Sequence, residues 1–174
     1  MELVLPSVKY KESYLGALEE AKNDPGNLIA KLQEPKDGEV FESFVEHFYD
    51  EMKGVNLPEG YVPATMFWLI DNGEFIGRIQ IRHELTEAML ARGGHIGYYV
   101  RPTKRKIGYG KKMLEMALLE AQKMGFEKVL LTCNDDNFGS AKIIESNGGI
   151  LENIIDGEKE GEKKKRRYWI TIKK

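Results

Sequence analysis

The chain has 174 residues, 41% of them apolar and 31% charged, and a formal net charge of −2. This is typical of one soluble globular domain, which we expect to span residues 1–174, and it gives no general argument for nucleic-acid binding. No segment approaches the roughly 20 apolar residues of a membrane-spanning helix. The single cysteine, Cys133, excludes an internal disulfide, and residues 1–16 lack the pattern of a signal peptide. We therefore expect a cytoplasmic protein with no membrane partner.

The first third of the chain is predicted to be a short strand followed by helices. Residues 1–6 form an apolar run that ends at a proline, which favours an edge strand. Apolar residues recur at helical spacing within residues 7–24 and again within residues 38–54. The Pro-Gly pair at residues 25–26 should end the first of these helices. His47 falls in the second helix, where we expect a surface position rather than a catalytic role.

A β-hairpin is predicted for residues 64–85. Two runs rich in apolar and β-branched residues flank the pair Asn72 and Gly73. Asn-Gly favours the two-residue turn of a hairpin because both residues tolerate positive φ. Residues 86–94 are predicted to be a linker with at most one helical turn.

Strands and helices alternate in the second half of the chain. The sequence predicts a strand, a helix, a strand, a short helix and a closing hairpin, at residues 95–100, 108–126, 127–133, 137–149, and 150–155 with 166–172. The strand–helix–strand order implies a locally parallel pair with a right-handed crossover. Consecutive apolar residues in the second of these strands favour burial on both of its faces.

The junction between strand 95–100 and the following helix is rich in glycine and positive charge. Gly108 and Gly110 stand at the helix start, among the basic residues Arg101, Lys104, Arg105, Lys106, Lys111 and Lys112. A helix N-terminus offers free N–H groups and the positive end of the helix dipole, and glycine lets an anion approach the backbone. The P-loop and dinucleotide patterns both fail, because Arg105 and Met113 stand where they require glycine. Another kind of phosphate loop, or a tight turn with solvated lysines, fits these residues.

Residues 105–110, RKIGYG, match [Q/R]-x-x-G-x-[G/A], which resembles the acetyl-CoA loop of the GNAT acyltransferase superfamily. Residues 137–149 are similar to a later family element, with Asn137, Ser140 and Gly148 in place but Ile144 where tyrosine is common. Residues 81–85, 93–102 and 147–153 also look like a bacterial branch of GNAT acetyltransferases, and the resemblance covers essentially the whole chain. It implies the GNAT version of an α/β (α+β) fold: a mixed, mostly antiparallel sheet, splayed at the parallel pair, with helices on both faces.

The resemblance also implies an activity, the transfer of an acetyl group from acetyl-CoA to a primary amine. The amine would attack directly in a ternary complex, without a metal or a covalent enzyme intermediate. The CoA pyrophosphate would lie on the loop amides, with Gly108 and Gly110 needed for close approach and positive φ. The pantetheine arm would run along the preceding strand, where the Val100 N–H would polarise the thioester carbonyl. The implied cofactor-binding residues are Tyr99, Val100, Arg101, Arg105, Lys106, Ile107, Gly108, Tyr109, Gly110, Lys111, Asn137 and Ser140. Lys104, Lys111 and Lys112 are the candidates for the 3′-phosphate.

His95 is the first candidate for the base that deprotonates the incoming amine. It stands at the strand start where many family members carry a glutamate, and an imidazole with an ordinary pKa near 6.5 is suited to accept a proton. The alternative is a histidine that only forms hydrogen bonds. His83 is the second candidate and Glu84 the third, while Arg82 could bind an anionic group of the substrate.

The general acid is not identified by the sequence. Ile144 cannot donate a proton, and Ser140 could contact the thioester sulfur but is a poor acid. Tyr98 and Tyr99 alternate along their strand, so at most one of them faces the cofactor.

Two other functions are compatible with the sequence. The missing tyrosine favours a non-catalytic, CoA-binding or regulatory module of the same fold. The basic run EKKKRR at residues 162–167 could bind nucleic acid, although nearby glutamates partly cancel its charge, and we expect no such partner. A homodimer that pairs through residues 166–172 is compatible with the sequence. The amine acceptor, a small molecule or a peptide, has no readable signature.

Overall fold

The structure is a computed structural model that describes residues 1–24 and 32–172. It contains the predicted elements in the predicted order: β1 (Glu2–Val4), α1 (Lys11–Lys22), α2 (Phe41–Lys53), β2 (Ala64–Asp71), β3 (Glu74–Arg82), β4 (Ile96–Val100), α3 (Tyr109–Lys123), β5 (Lys128–Asn134), α4 (Phe138–Glu145), β6 (Ile150–Ile155) and β7 (Lys165–Thr171). Short helical turns lie at Val8–Tyr10, Met89–Gly93 and Pro102–Lys104. The predicted helix break at Pro25 and Gly26 lies outside the described residues.

Strands β1 to β4 form one antiparallel sheet in the order β1-β2-β3-β4. Asn72 and Gly73 both have positive φ, 49° and 79°, so the predicted hairpin turn is confirmed. Gly54 likewise ends α2 in the left-handed conformation. His47 is exposed on α2, where its Nδ1 lies 3.3 Å from a carboxylate oxygen of Glu39, which agrees with the surface position expected for it.

The last three strands form a second antiparallel sheet in the order β5-β7-β6. The closing hairpin of β6 and β7 is therefore confirmed. Because β7 lies between β5 and β6, both of its edges are occupied, and the prediction that residues 166–172 pair across a dimer is wrong. β6 is the strand at the edge of this sheet.

The two sheets meet at the start of β4 and then part. The His95 N–H donates to the Leu130 carbonyl at 2.7 Å, and Gly94 forms an isolated bridge with Leu131. Gly94 must be glycine, because a Cβ there would lie 2.6 Å from the Leu130 oxygen. Beyond this bridge, β4 and β5 share no ladder in the described part of the chain. We call the opening between them the wedge. The bridge at Gly94 is antiparallel, and no ladder of the predicted parallel pair forms among the described residues. The two strands are splayed as expected, and the expected fold class is confirmed.

Helices cover both faces of the first sheet and enclose two apolar clusters. α1 and α2 pack on one face around Tyr14, Phe44, Phe48, Trp68 and Phe75. α3 and α4 pack on the other face around Leu69, Ile79, Ile81, Met113, Leu114 and Ile144. The alternation along β4 directs Tyr98 to the α3–α4 side and Tyr99 to the α1–α2 side. No helix among the described residues is both long and apolar enough to cross a membrane.

Candidate active site

The free edge of β4 faces the wedge. Arg82 N–H donates to the His95 carbonyl at 2.8 Å, and Arg101 N–H donates to the Ile76 carbonyl at 2.9 Å. Backbone groups alternate in direction along a strand, so those of the intervening even-numbered residues, Tyr98 and Val100, point away from β3. The Val100 N–H therefore points into the wedge, as its expected role requires.

The same alternation corrects two of the expected cofactor contacts. The backbone groups of Tyr99 and Arg101 face β3, and the Arg101 N–H is bonded to Ile76. They are engaged within the sheet and cannot pair with a ligand in the wedge. The Tyr99 side chain is buried against α1 and α2. Tyr98 is the residue whose N–H joins that of Val100 on the free edge, which the sequence did not indicate.

The loop before α3 has the backbone of an anion site. Lys106 and Gly108 adopt left-handed conformations, with φ of 64° and 97°, and Gly108 is the N-cap of α3. Among residues 1–24 and 32–172, no atom lies within 4 Å of a Cβ built on Gly108, and no side chain caps the helix. The N–H groups of the first turn of α3, including those of Tyr109 and Lys111, are therefore available to an anion. The loop fits a phosphate group.

Gly110 serves a different purpose from the one expected of it. It is a buried helical residue without positive φ, and it lies within α3. A Cβ at this position would lie 2.6 Å from Cδ1 of Ile143 in α4. The expectation that Gly110 supplies positive φ is therefore wrong; its missing side chain lets α3 and α4 pack closely.

The Arg105 side chain turns back from the loop towards the protein. Its Nε donates to the Val100 carbonyl at 2.9 Å, and its guanidinium lies 2.8 Å from a carboxylate oxygen of Asp24. The guanidinium also stacks near the Tyr99 ring, with its central carbon 5.5 Å from the ring centre. Arg105 thus links the loop to the end of β4 and leaves phosphate contact to the backbone.

Two other basic side chains near the loop are held by carboxylates. Arg101 pairs with Glu20 at 2.6 Å and with Glu74 at 3.1 Å, and Glu20 raises the pKa of this guanidinium further. Lys104 pairs with Glu74 at 2.7 Å. Lys104 is therefore the least accessible of the three candidates for the 3′-phosphate.

Lys111 and Lys106 are exposed beside the loop. Neither makes an ion pair with any residue that the structure describes, whereas Lys112 pairs with Glu115 at 2.9 Å. Of the candidates for the 3′-phosphate, the structure thus favours Lys111, with Lys106 on the other side of Gly108. The Ile107 side chain between them is 67% exposed. Tyr109 is not directed at the loop, because its hydroxyl donates to Asp71 at 2.7 Å.

Four residues, Tyr98, Cys133, Asn137 and Ser140, form a small polar group beside the wedge. The Tyr98 hydroxyl lies 2.7 Å from the Ser140 Oγ, and burial raises the pKa of Tyr98 well above its usual value. Cys133 is buried beside Ser140, and burial also raises the pKa of this thiol. Asn137 caps α4 by accepting from the Ser140 N–H at 3.0 Å. Tyr98 therefore brings a neutral phenol to the wedge.

Ile144 occupies the position where the resemblance leads one to expect a tyrosine. It is fully buried in the apolar cluster on the α3–α4 side of the sheet. A phenol does lie beside α4 at the wedge, where it contacts Ser140, but it belongs to Tyr98 of β4 and not to a residue of α4.

His95 is anchored at the base of the wedge. Its Nδ1 accepts a hydrogen bond from the Leu130 N–H at 2.9 Å, which places the proton of the neutral ring on Nε2. Burial, and then the charge of Arg82, lower the pKa of His95. The ring packs edge-on to Phe126, with 5.4 Å between the ring centres. With Nδ1 occupied and Nε2 protonated, the neutral ring has no free lone pair for an incoming proton.

His83 is not brought to the loop. Its Nε2 lies 2.8 Å from the Thr65 hydroxyl, and burial lowers the pKa of the ring. It lines a small depression with Met124, Gly125 and Phe126, beyond the C-terminal end of α3. The loop lies at the other end of this 15-residue helix, which is about 22 Å long. Glu84 is exposed next to His83.

The basic run at residues 162–167 is tied to the protein by ion pairs. These join Lys163 to Asp136 at 2.5 Å, Lys164 to Asp156 at 2.7 Å, Arg166 to Asp135 at 2.7 Å and Arg167 to Glu152 at 2.9 Å. Most of the positive charge in this segment is therefore locally compensated.

A splayed sheet with a free strand edge and a left-handed loop at a helix N-terminus define a domain that can hold an extended, phosphate-bearing ligand. The family model described as "Acetyltransferase (GNAT) family" matches residues 27–148. The chain belongs to this family, which confirms the resemblance seen in the sequence. Sequence comparison with curated proteins finds no significant match.

Solved structures share the fold at low sequence identity. An acetyltransferase that modifies the N-terminal serine of ribosomal protein L7/L12 in Salmonella typhimurium has a TM-score of 0.71 and 14% identity, over 98% of this chain and 94% of that one. YncA, a putative acetyltransferase of the same organism with acetyl-CoA, has a TM-score of 0.66 and 13% identity, over 99% of this chain and 94% of that one. A spermidine N-acetyltransferase SpeG chimera from Vibrio cholerae and hSSAT has a TM-score of 0.62 and 15% identity, over 98% of this chain and 96% of that one. At these identities the likeness shows the fold alone.

Proposed function

We propose that this protein is an N-acetyltransferase that transfers the acetyl group of acetyl-CoA to a primary amine by direct attack in a ternary complex. The observation that carries the proposal is the position of the free β4 edge, with the N–H groups of Tyr98 and Val100, next to the left-handed loop at Lys106 and Gly108. One feature suits an extended arm and the other a phosphate. Family membership supports the same activity.

The donor would be held by groups of four kinds. The first-turn N–H groups of α3 would bind the pyrophosphate, and Lys111 would supply charge for the 3′-phosphate. The free edge of β4 would pair with the amides of the pantetheine arm as an added strand does. Asn137 is the N-cap of α4, three residues before Ser140, and its side-chain NH₂ makes no hydrogen bond with the described residues. This NH₂ would contact the same arm.

The reaction forms a bond from the amine nitrogen to the carbonyl carbon and breaks the bond from that carbon to sulfur. The Val100 N–H would stabilise the negative charge that develops on the carbonyl oxygen. The electron pair of the broken bond goes to sulfur, and the neutral Tyr98 phenol, with Ser140 as its hydrogen-bond partner, would give the thiolate a proton. The nitrogen releases two protons in all, one before and one after attack.

His95 was the first candidate for the base that takes the first of these protons. The hydrogen bond from Leu130 to Nδ1 favours a structural role for this ring, since it would have to break before Nδ1 could accept a proton. We therefore place His95 behind the groups that face the wedge, and its substitution is the direct test.

The experiment is an acetylation assay with a broad panel of amines, followed by detection of the released thiol. We expect turnover with at least one amine, and we expect His95→Ala to bind acetyl-CoA normally. If the variant loses turnover completely while its fold is intact, His95 is the base after all. Binding of CoA by the wild type without turnover across the panel would instead identify a non-catalytic module.

A further inference from the structure

A hollow lies over the middle of β4 on the side of α1 and α2. Gly97 pairs with Gln80 of β3, and directly opposite residues of an antiparallel pair share a face. No atom of the described residues lies within 4 Å of a Cβ built on Gly97. Two residues further along the same face, the Tyr99 side chain is fully covered. The sheet surface is therefore open at Gly97 and closed beyond it.

A carboxylate from α2 stands beside this hollow. The Gln80 side-chain amide donates to Glu51 Oε1 at 2.6 Å, so the residue opposite Gly97 holds Glu51 in place. In the described part of the chain, Glu51 Oε2 makes no hydrogen bond. Burial raises the pKa of Glu51, and the bond from Gln80 and the charge of Arg82 oppose this effect without cancelling it. The charged form of a half-buried carboxylate such as Glu51 is stabilised by a nearby cation.

Arg82 supplies a positive charge next to Glu51. It lies two residues beyond Gln80 and therefore on the same face of β3. One of its terminal nitrogens donates to the Gly94 carbonyl at 2.8 Å, which fixes the guanidinium near the base of the wedge. Its other side-chain N–H groups make no hydrogen bond with any described residue. Burial lowers the pKa of Arg82, and Glu51 counteracts this.

The hollow adjoins the reacting groups from the face opposite α3 and α4. Gly97 precedes Tyr98, whose N–H lies on the free edge of β4 and whose side chain points to the other face. A molecule in the hollow would thus approach the wedge from one face while the loop before α3 holds the donor from the other. In this arrangement, the two ligands would reach the splayed strands from opposite faces of the sheet.

The charges around the hollow select the kind of molecule that fits. Glu51 and Arg82 carry opposite charges here, so a polycation would be attracted by Glu51 but repelled by Arg82. A molecule with one ammonium and one anionic group can satisfy Glu51 and Arg82 at once. Charge-assisted hydrogen bonds of this kind are the strongest that a site offers.

We infer that the hollow over Gly97 binds the acetyl acceptor, and that the acceptor is a small zwitterionic amine whose ammonium binds Glu51 and whose anionic group binds Arg82. This inference rests on the proposed function for the reaction, but it can be tested by binding alone.

The test compares free amino acids with their carboxamides, and spermidine with both. With wild type, we expect acetylation of at least one amino acid with a kcat/KM at least roughly 10-fold above that of its carboxamide, because the amide leaves Arg82 without an anionic partner. Glu51→Gln should lower kcat/KM for that amino acid by roughly 30-fold or more with the Kd for acetyl-CoA unchanged. Glu46→Gln, on the exposed face of α2, is the matched control and should behave as wild type.

Two further variants examine the hollow and the arginine. Gly97→Val should fill the hollow and abolish amino-acid binding without affecting acetyl-CoA, since the space beside Gly97 is open. Arg82→Lys keeps the charge but loses the planar guanidinium, so it should reduce the preference for the acid over the amide. Equal rates for acid and amide, a preference for spermidine, or equal behaviour of Glu51→Gln and Glu46→Gln would overturn the inference.

Calorimetric binding of the amino acids and amides to CoA-saturated protein separates the two proposals. Binding that depends on Glu51 and Arg82 without turnover would leave the inference standing and reject the proposed function. Turnover that is indifferent to both residues would reject the inference alone. An absence of amino-acid binding together with an absence of turnover across the whole amine panel would reject both.

Discussion

The hydroxyl of Tyr98 lies 2.7 Å from the Oγ of Ser140 and so joins β4 to α4 across the wedge. This contact brings a phenol to the region that lacks one in α4, where Ile144 is part of the core. Because burial raises the pKa of Tyr98, the phenol stays protonated at neutral pH and can donate a proton. It is thus the best-placed proton donor near the free edge of β4.

Tyr98→Phe should therefore slow catalysis while leaving donor binding intact. We expect kcat to fall by roughly 100-fold, the lower end of the range for general acid catalysis, because a thiolate is already a good leaving group. Steady-state kinetics and the Kd for acetyl-CoA check this. Tyr168→Phe removes the hydroxyl of another buried tyrosine, which donates to Glu145 at 2.9 Å, and should leave kcat unchanged. Equal kcat values for Tyr98→Phe and wild type would exclude Tyr98 as the acid.

The sequence predicted the elements well because each depends on local pattern. The Asn72-Gly73 turn, the alternation of Tyr98 and Tyr99 and the glycine at position 108 follow from turn chemistry and strand period. The two-residue period of a strand does not show which helices will pack on each of its faces. The sequence therefore left open which of Tyr98 and Tyr99 faces the wedge, and the contact of Tyr98 with α4 decides it.

The side-chain partners of the loop were not predictable, because they come from distant parts of the chain. Arg105 pairs with Asp24, and Arg101 with Glu20, which is 81 residues away. Basic residues near a phosphate loop suggest phosphate contacts, but these two are used by carboxylates of the N-terminal segment. Likewise, no local signal distinguishes a glycine that packs helices, such as Gly110, from one that needs positive φ.

Ile107→Glu tests whether the loop before α3 binds an anion. Ile107 is 67% exposed, so the substitution adds a negative charge at the loop without disturbing the core. We expect the Kd for acetyl-CoA to rise at least roughly 10-fold, with a smaller effect at high salt. Leu119→Glu is the matched control, since Leu119 is exposed on α3, about 15 Å from the start of that helix. Similar Kd values for the two variants would show that the loop is not the phosphate site.

Gly110→Ala tests the packing of α3 on α4. The new methyl group would overlap Cδ1 of Ile143, and overpacking of this kind costs about 1–3 kcal/mol of unfolding free energy. Ile143→Val removes Cδ1, so the double variant should recover most of the lost stability. Chemical denaturation of the four proteins gives the coupling energy between the two positions. Strict additivity would contradict a direct contact.

The pH dependence of stability tests the environment of His95. Burial lowers the pKa of His95 in the folded protein, so the unfolded chain binds a proton first as the pH falls. The free energy of unfolding should therefore decrease below the unfolded value of about 6.5 and level off below the folded pKa. His95→Gln should reduce the loss measured between pH 7.5 and 5.5. The double variant with His83→Gln should reduce it further, because burial also lowers the pKa of His83. An unchanged slope in both variants would mean that neither ring stays neutral in the native state.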